Sequence, residues 1–125
     1  MPRYRFGTST DPLAYAEHLL RSRHRRSEHF PQLKGDDPSW AILLDLFVQQ
    51  KRGRSVSIQS ACIAAGAPST TALRHLTGMI ARGEVIRTPD PSDARRAFVS
   101  LAPATQQRLL RCLEDEAMRV TRVQL

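Results

Sequence analysis

Cysteine is scarce in this chain, 2 in 125 residues. Neither Cys62 nor Cys112 belongs to a Cys-x-x-Cys pair or to a Cys/His ligand spacing. A disulfide framework is thereby excluded, and no metal site is implied. His18, His24, His29 and His75 are scattered, with no pair at ligand spacing. No apolar run comes near the length of a membrane span, and no charged start leads into an apolar stretch, so the expectation is a cytoplasmic protein without membrane contact. A Gly-rich phosphate loop, a nucleophile elbow and a His-Glu-x-x-His run are all missing, and the carboxylates form no pair in an apolar setting. That pattern points away from an enzyme and implies no cofactor. Acidic residues are the minority, 12 against 19 basic, for a net charge of +7. Such an excess suits a polyanionic partner.

What the chain does have is concentrated in residues 57–101. Ser57 to Ala65 reads as a short helix that Gly66 stops, since glycine takes the left-handed conformation without a Cβ clash. Ala67-Pro68 makes a turn, and Ser69 is placed to cap a second helix, Thr70 to Arg82. On it Leu73, Leu76 and Ile80, with Ala72 and Met79 beside them, form the expected buried stripe. Thr70, Thr71, Arg74, His75 and Gly78 fall on the opposite face, which carries donors, acceptors and a charge but no large apolar side chain. Gly83 ends this helix. Val85 to Thr88 reads as a strand, Pro89 to Asp93 as a turn-rich tip, and Ala97 to Leu101 as the return strand, with Arg95 and Arg96 between tip and strand. A helix able to enter a major groove beside a hairpin arm carrying paired arginines points to duplex DNA.

Two arms flank this unit. Residues 1–10 show no periodicity and read as extended. Asp11-Pro12 then starts a helix on which Leu13, Ala16 and Leu20 share a stripe, with the basic cluster Arg21 to Arg26 at its end, where positive charge offsets the helix dipole. Gly35-Asp36-Asp37-Pro38 is a break. Asp37 caps the next helix, with Trp40, Leu43, Leu44, Phe47 and Val48 as its apolar stripe and the central support of the core. Lys51 to Arg54 end it before a short strand at Ser55-Val56. After Pro103 a last helix runs toward Val123, and Leu110, Leu113, Ala117 and Val120, widened by Leu109, repeat at spacings of three and four. In so short a chain that seam either folds back on its own domain or pairs with a second subunit.

The segment resembles the MarR family of bacterial winged-helix transcriptional regulators. The resemblance lies in the helix pair around Gly66, the run Ser69-Thr70-Thr71 through Leu76, the exit Arg82-Gly83-Glu84-Val85-Ile86-Arg87, and the wing Asp90…Asp93-Ala94-Arg95-Arg96…Val99-Ser100-Leu101. Asp93-Ala94-Arg95 fits the family's Asp-x-Arg wing. After it, Leu101-Ala102-Pro103-Ala104-Thr105 departs from the family's usual Leu-Thr-x-x-Gly. The resemblance implies a mainly α fold with a small β-wing, a winged helix-turn-helix at residues 37–101 within a single domain. Residues 1–36 and 102–125 would then supply dimerisation helices. It implies a sequence-specific double-stranded DNA-binding regulator, a repressor by the family's commoner mode, working as a homodimer on a pseudo-palindromic site. The expected DNA contacts are Ser69, Thr70, Thr71, Arg74 and His75 on the helix and Arg87, Arg95 and Arg96 on the wing. The expected dimer contacts are Leu13, Ala16, Leu20, Leu110, Leu113, Ala117 and Val120. A small aromatic effector, as family members often bind, would find Leu20, Phe30, Trp40 and Phe47 either lining its space or filling the core. Some relatives sense oxidants, and Cys112, near Arg108 and Arg111, is the better thiol for that role. The competing readings are a winged-helix adaptor for an acidic protein partner and a nonspecific DNA binder.

Overall fold

The computed structural model describes residues 12–32 and 37–124. They form five helices and three strands: α1 (Pro12–His29), α2 (Pro38–Lys51), β1 (Val56–Ser57), α3 (Ile58–Ala64), α4 (Ser69–Ala81), β2 (Val85–Asp90), β3 (Asp93–Leu101) and α5 (Pro103–Gln124). The chain divides into two compact units, one of residues 36–107 and one that joins residues 1–35 to residues 108–125. The fold class is the expected one, mainly helical with a small antiparallel sheet.

In the first unit Asp37 caps α2 as expected, its carboxylate accepting from the Ser39 N–H at 2.8 Å. The buried stripe of α2 is Ser39, Ile42, Leu43 and Leu46. The expected stripe is therefore rotated. Trp40, Leu44 and Phe47 are half-buried and Val48 is exposed, and of that set Leu43 alone is core. A serine sits inside the stripe because its hydroxyl has a partner there, the ring of His75 at 3.2 Å. A buried hydroxyl with a hydrogen bond is tolerated where an unpaired one is not.

Ser57 caps α3, its Oγ accepting from the Ser60 N–H at 3.1 Å. Gly66 has φ of 68° and Gly83 has φ of 76°, so both helix stops occupy the left-handed region that glycine favours. The N-cap of α4 is Pro68, not Ser69, and it makes no side-chain cap bond. The helix starts one residue early because Pro68 already supplies the first carbonyl, which accepts from the Ala72 N–H at 2.9 Å. Helix α4 packs on α2 and α3 through Ala72, Leu76 and Met79.

The sheet has order β1-β3-β2, with Val56 opposite Val99 and Val85 opposite Leu101. Ala97, Val99 and Leu101 bury alternate side chains of β3, as a strand with one covered face should. Both wing strands are longer than the sequence suggests, which leaves only Pro91 and Ser92 as the tip.

The other unit contains α1 and the part of α5 beyond residue 107. Arg108 lies over the ring of Phe30 at 5.4 Å, and His29 Nε2 is 3.7 Å from Asp115 Oδ2. Phe30, Leu109 and Cys112 are fully buried, while Leu110 stays 38% exposed and Leu113 is half-buried. The basic cluster on α1 does not form one solvated patch, since Arg21 and Arg23 are exposed but Arg25 is buried. Residues 1–11, with Asp11 of the expected helix start, 33–36 and 125 lie outside the described residues, as do the side chains of Leu13, Ala16, Leu20, Ala117 and Val120. Among the described residues no helix is long and apolar enough to cross a membrane.

Candidate nucleic-acid interface

The exposed side of α4 is turned relative to the sequence expectation. With about 100° per residue, the buried positions Ala72, Leu76 and Met79 occupy one narrow arc of the helix. The exposed positions Thr70, Leu73, Arg74 and Thr77 fill the arc away from them, and Ser69 is exposed at the helix start. Thr70 and Arg74 are where expected. Leu73, expected in the core, is 47% exposed, while Ala72, Leu76 and Met79 of the same expected stripe are buried and Ile80 is half-buried. Thr71, His75 and Gly78 stand on the flank and are only partly exposed.

His75 has a specific reason to be there. Its Nδ1 lies 3.1 Å from Asp37 Oδ1 and 3.2 Å from Ser39 Oγ. The ring ties α4 to the N-terminus of α2 and is turned toward that helix start instead of the open face.

The wing carries the other cations. Asp90 pairs with Asp93 and Pro89 with Ala97, so Ala94, Arg95 and Arg96 have no partners on β2. Such a bulge re-aims side chains that a regular ladder would hold in alternation. The arginines expected between tip and strand are thus inside β3, at its irregular stretch. The tip is held by Asp90, whose Oδ1 accepts from the Ser92 N–H at 2.8 Å and from the Ser92 hydroxyl at 2.7 Å. Those bonds, the hydroxyl's first, and the nearby Arg96 charge hold the Asp90 carboxyl below its ordinary range. Asp93 Oδ1 accepts from the Arg95 N–H at 3.0 Å and lies 3.3 Å from Arg95 Nε. The Arg95 side chain is nevertheless 91% exposed, so its guanidinium is steered without being buried.

Helix and wing enclose one cleft of about 380 Å³ within residues 36–107. Ser57, Ile58, Gln59 and Cys62 of the α3 segment form one wall, Ser69 and Leu73 of α4 another, and Arg87, Arg95, Arg96 and Ala97 of the wing the third. Three arginines and two serines therefore border a cleft whose floor is largely apolar, from Ile58, Cys62, Leu73 and Ala97, and its polar rim offers donors suited to a phosphate backbone. Of the expected DNA residues, Ser69, Arg87, Arg95 and Arg96 meet at this cleft. Thr70 and Arg74 lie on the exposed arc of α4, and Thr71 and His75 do not. Leu73 and Thr77 on that arc, and Ser57 and Gln59 at the cleft, were not among the expected residues. A helical wheel centred on Ala72, Leu76 and Met79 finds the first two, whereas the α3 residues join only through the fold.

Neither thiol meets the requirements of an accessible, acidified sensor. Cys112 is fully buried. Burial also pushes the Cys62 thiol up, which disfavours its thiolate. Among the described residues no group of His, Cys, Asp and Glu could hold a metal ion.

No protein-family model matches the sequence, and no curated protein matches it either. Solved structures do match its fold. An S. aureus MepR variant bound to an oligodeoxyribonucleotide superposes with a TM-score of 0.70 at 16% identity, over 90% of this chain and 79% of that one. NadR in complex with 4-hydroxyphenylacetate gives 0.68 at 19% identity, over 98% and 84%. A probable transcriptional regulator from Pseudomonas aeruginosa gives 0.58 at 21% identity, over 92% and 82%.

Proposed function

From the fold of the MarR-type winged-helix regulators, we propose that this chain is a sequence-specific, double-stranded DNA-binding transcriptional regulator. It acts as a homodimer on a pseudo-palindromic site, and repression is its mode. The observation that carries the reading is the joint geometry of the exposed arc of α4 and the cleft beside it, where Arg87, Arg95 and Arg96 converge with Ser57 and Ser69. Thr70 and Arg74 reach base edges in the major groove, while Arg95 and Arg96 hold the backbone or an adjacent minor groove. A net charge of +7 supports a polyanionic partner. The fold match to MepR bound to an oligodeoxyribonucleotide supports the same class.

The two contact types separate experimentally. Arg74→Ala relaxes preference at one base pair and costs roughly 1–3 kcal/mol, whereas Arg95→Ala weakens every sequence alike and lowers the salt slope by about one. Fluorescence titrations of each variant against specific and random duplexes at several salt concentrations measure both. Unchanged affinity in both variants would refute the assignment of this face.

The described part of the dimer surface is Leu110 and Leu113, and the exposure of Leu110 on α5 supports pairing with a second copy. A small aromatic effector remains part of the reading on the strength of the match to NadR with 4-hydroxyphenylacetate. Of the residues expected to line its space, Trp40 and Phe47 are half-buried and Phe30 is core.

One observation favours the adaptor reading: an exposed leucine, Leu73, on the recognition face. Protein interfaces centre on clusters of apolar anchors. Here Leu73, with Ile58, Cys62 and Ala97 beside it, is bordered by three arginines and two serines, so DNA is the better partner.

A further inference from the structure

Leu73 is the large apolar side chain that α4 itself brings to a cleft rimmed by three arginines, where Ile58, Cys62 and Ala97 come from other elements. It is 47% exposed, lies one turn into α4 between Thr70 and Arg74, and lines the cleft that Arg87, Arg95 and Arg96 rim. Core packing does not explain it, because Ala72 and Leu76 fill the buried arc of the same helix. Isolated exposed leucines are common on protein surfaces and by themselves mean little. This one differs in position. If α4 enters a major groove, Leu73 enters with it, and an isobutyl group has no hydrogen bond to offer. The apolar group that the major groove presents on a base edge is the 5-methyl of thymine.

We propose that Leu73 is a specificity-determining residue that selects thymine in each half-site by covering its methyl group, beside the base reader Arg74 and the backbone clamp of the wing. The proposal rests on the DNA-binding reading above and adds what that reading lacks, the identity of one base and the atom by which it is recognised. Removal of a methyl contact of this kind corresponds to a loss of about fourfold in affinity. The selection is modest and acts together with the hydrogen-bonding residues.

The test uses the full-length protein and its preferred duplex, obtained by selection from random sequence. Each thymine in a half-site is replaced singly by uracil, which keeps the base pair and deletes only the methyl, and affinities are measured for the parent chain, Leu73→Ala and Leu73→Met. The expected result is one uracil position per half-site that weakens the parent about fourfold. That position should have no effect on Leu73→Ala and a retained effect on Leu73→Met, with all three proteins unfolding at similar temperatures. The proposal is overturned if no uracil position matters. It is equally overturned if the same position matters undiminished in Leu73→Ala, or if that variant weakens random and preferred DNA by the same factor, as packing on the sugar would require. Selection that recovers no preferred duplex overturns the DNA reading itself, and this inference with it, whereas the outcomes above leave that reading intact.

Discussion

At the residue scale, the same helix carries side chains with opposite tasks, and substitution separates them. His75 points at Asp37 and Ser39, so His75→Ala removes a tie between α4 and α2 and leaves a half-buried carboxylate short of a partner. The expected cost is about 1 kcal/mol in chemical denaturation, with little change in base preference at matched folded fraction. A loss of preference at one base pair without a loss of stability would instead return His75 to the DNA face. Gly66 allows a cleaner case. A Cβ there would meet nothing within 4 Å, yet φ is 68°. Gly66→Ala therefore costs about 1 kcal/mol through backbone strain alone, and an unchanged denaturation midpoint would contradict the left-handed stop between α3 and α4.

At the element scale, the helix stops and the start of α2 were legible in the sequence, the start of α4 was one residue off, and the faces of α2 and α4 were legible only in part. Asp37-Pro38, Gly66 and Gly83 each act through a local rule, a cap or a left-handed glycine, that needs no knowledge of the fold. The faces of α2 and α4 depend on what packs against them. Ser39 is tolerated in the core because His75 from α4 meets it, and on α4 the buried arc keeps Ala72, Leu76 and Met79 but leaves Leu73 exposed, so each helix is rotated from its expected stripe. The wing arginines were identified as a pair between the turn-rich tip and the return strand, Arg95 also by the resemblance's Asp-x-Arg pattern, but their place in a bulge of β3 follows from a strand register that sequence does not reveal. The tip of the wing also makes a pH-dependent contribution. Because the Asp90 carboxyl is held below its ordinary range, its bonds to Ser92 stabilise the folded tip fully above that range and are lost as pH falls through the lowered value. In Ser92→Ala the carboxyl titrates closer to the ordinary range, so the loss moves to higher pH. Carbon-13 chemical shifts of the Asp90 carboxyl measure this directly, and an identical titration in both proteins would contradict the account.

At the scale of the whole molecule, the regulator reading requires two copies. Leu110 is 38% exposed on α5 while Leu109 and Cys112, on the adjacent face, are buried within the chain. If Leu110 and Leu113 help hold a second copy, Leu110→Glu shifts the mass measured by light scattering from dimer toward monomer and weakens specific DNA far more than random DNA. A variant that remains a dimer places the interface elsewhere. The central claim is tested most directly by one selection: purified protein, genomic DNA fragments and physiological salt, followed by footprinting and competition against random duplex. The account predicts one inverted-repeat motif whose half-sites lie about one helical turn apart, bound at least about a thousandfold more tightly than random DNA. Binding that is weak, abolished by moderate salt and without a motif would contradict it, leaving only a basic surface with general affinity for polyanions.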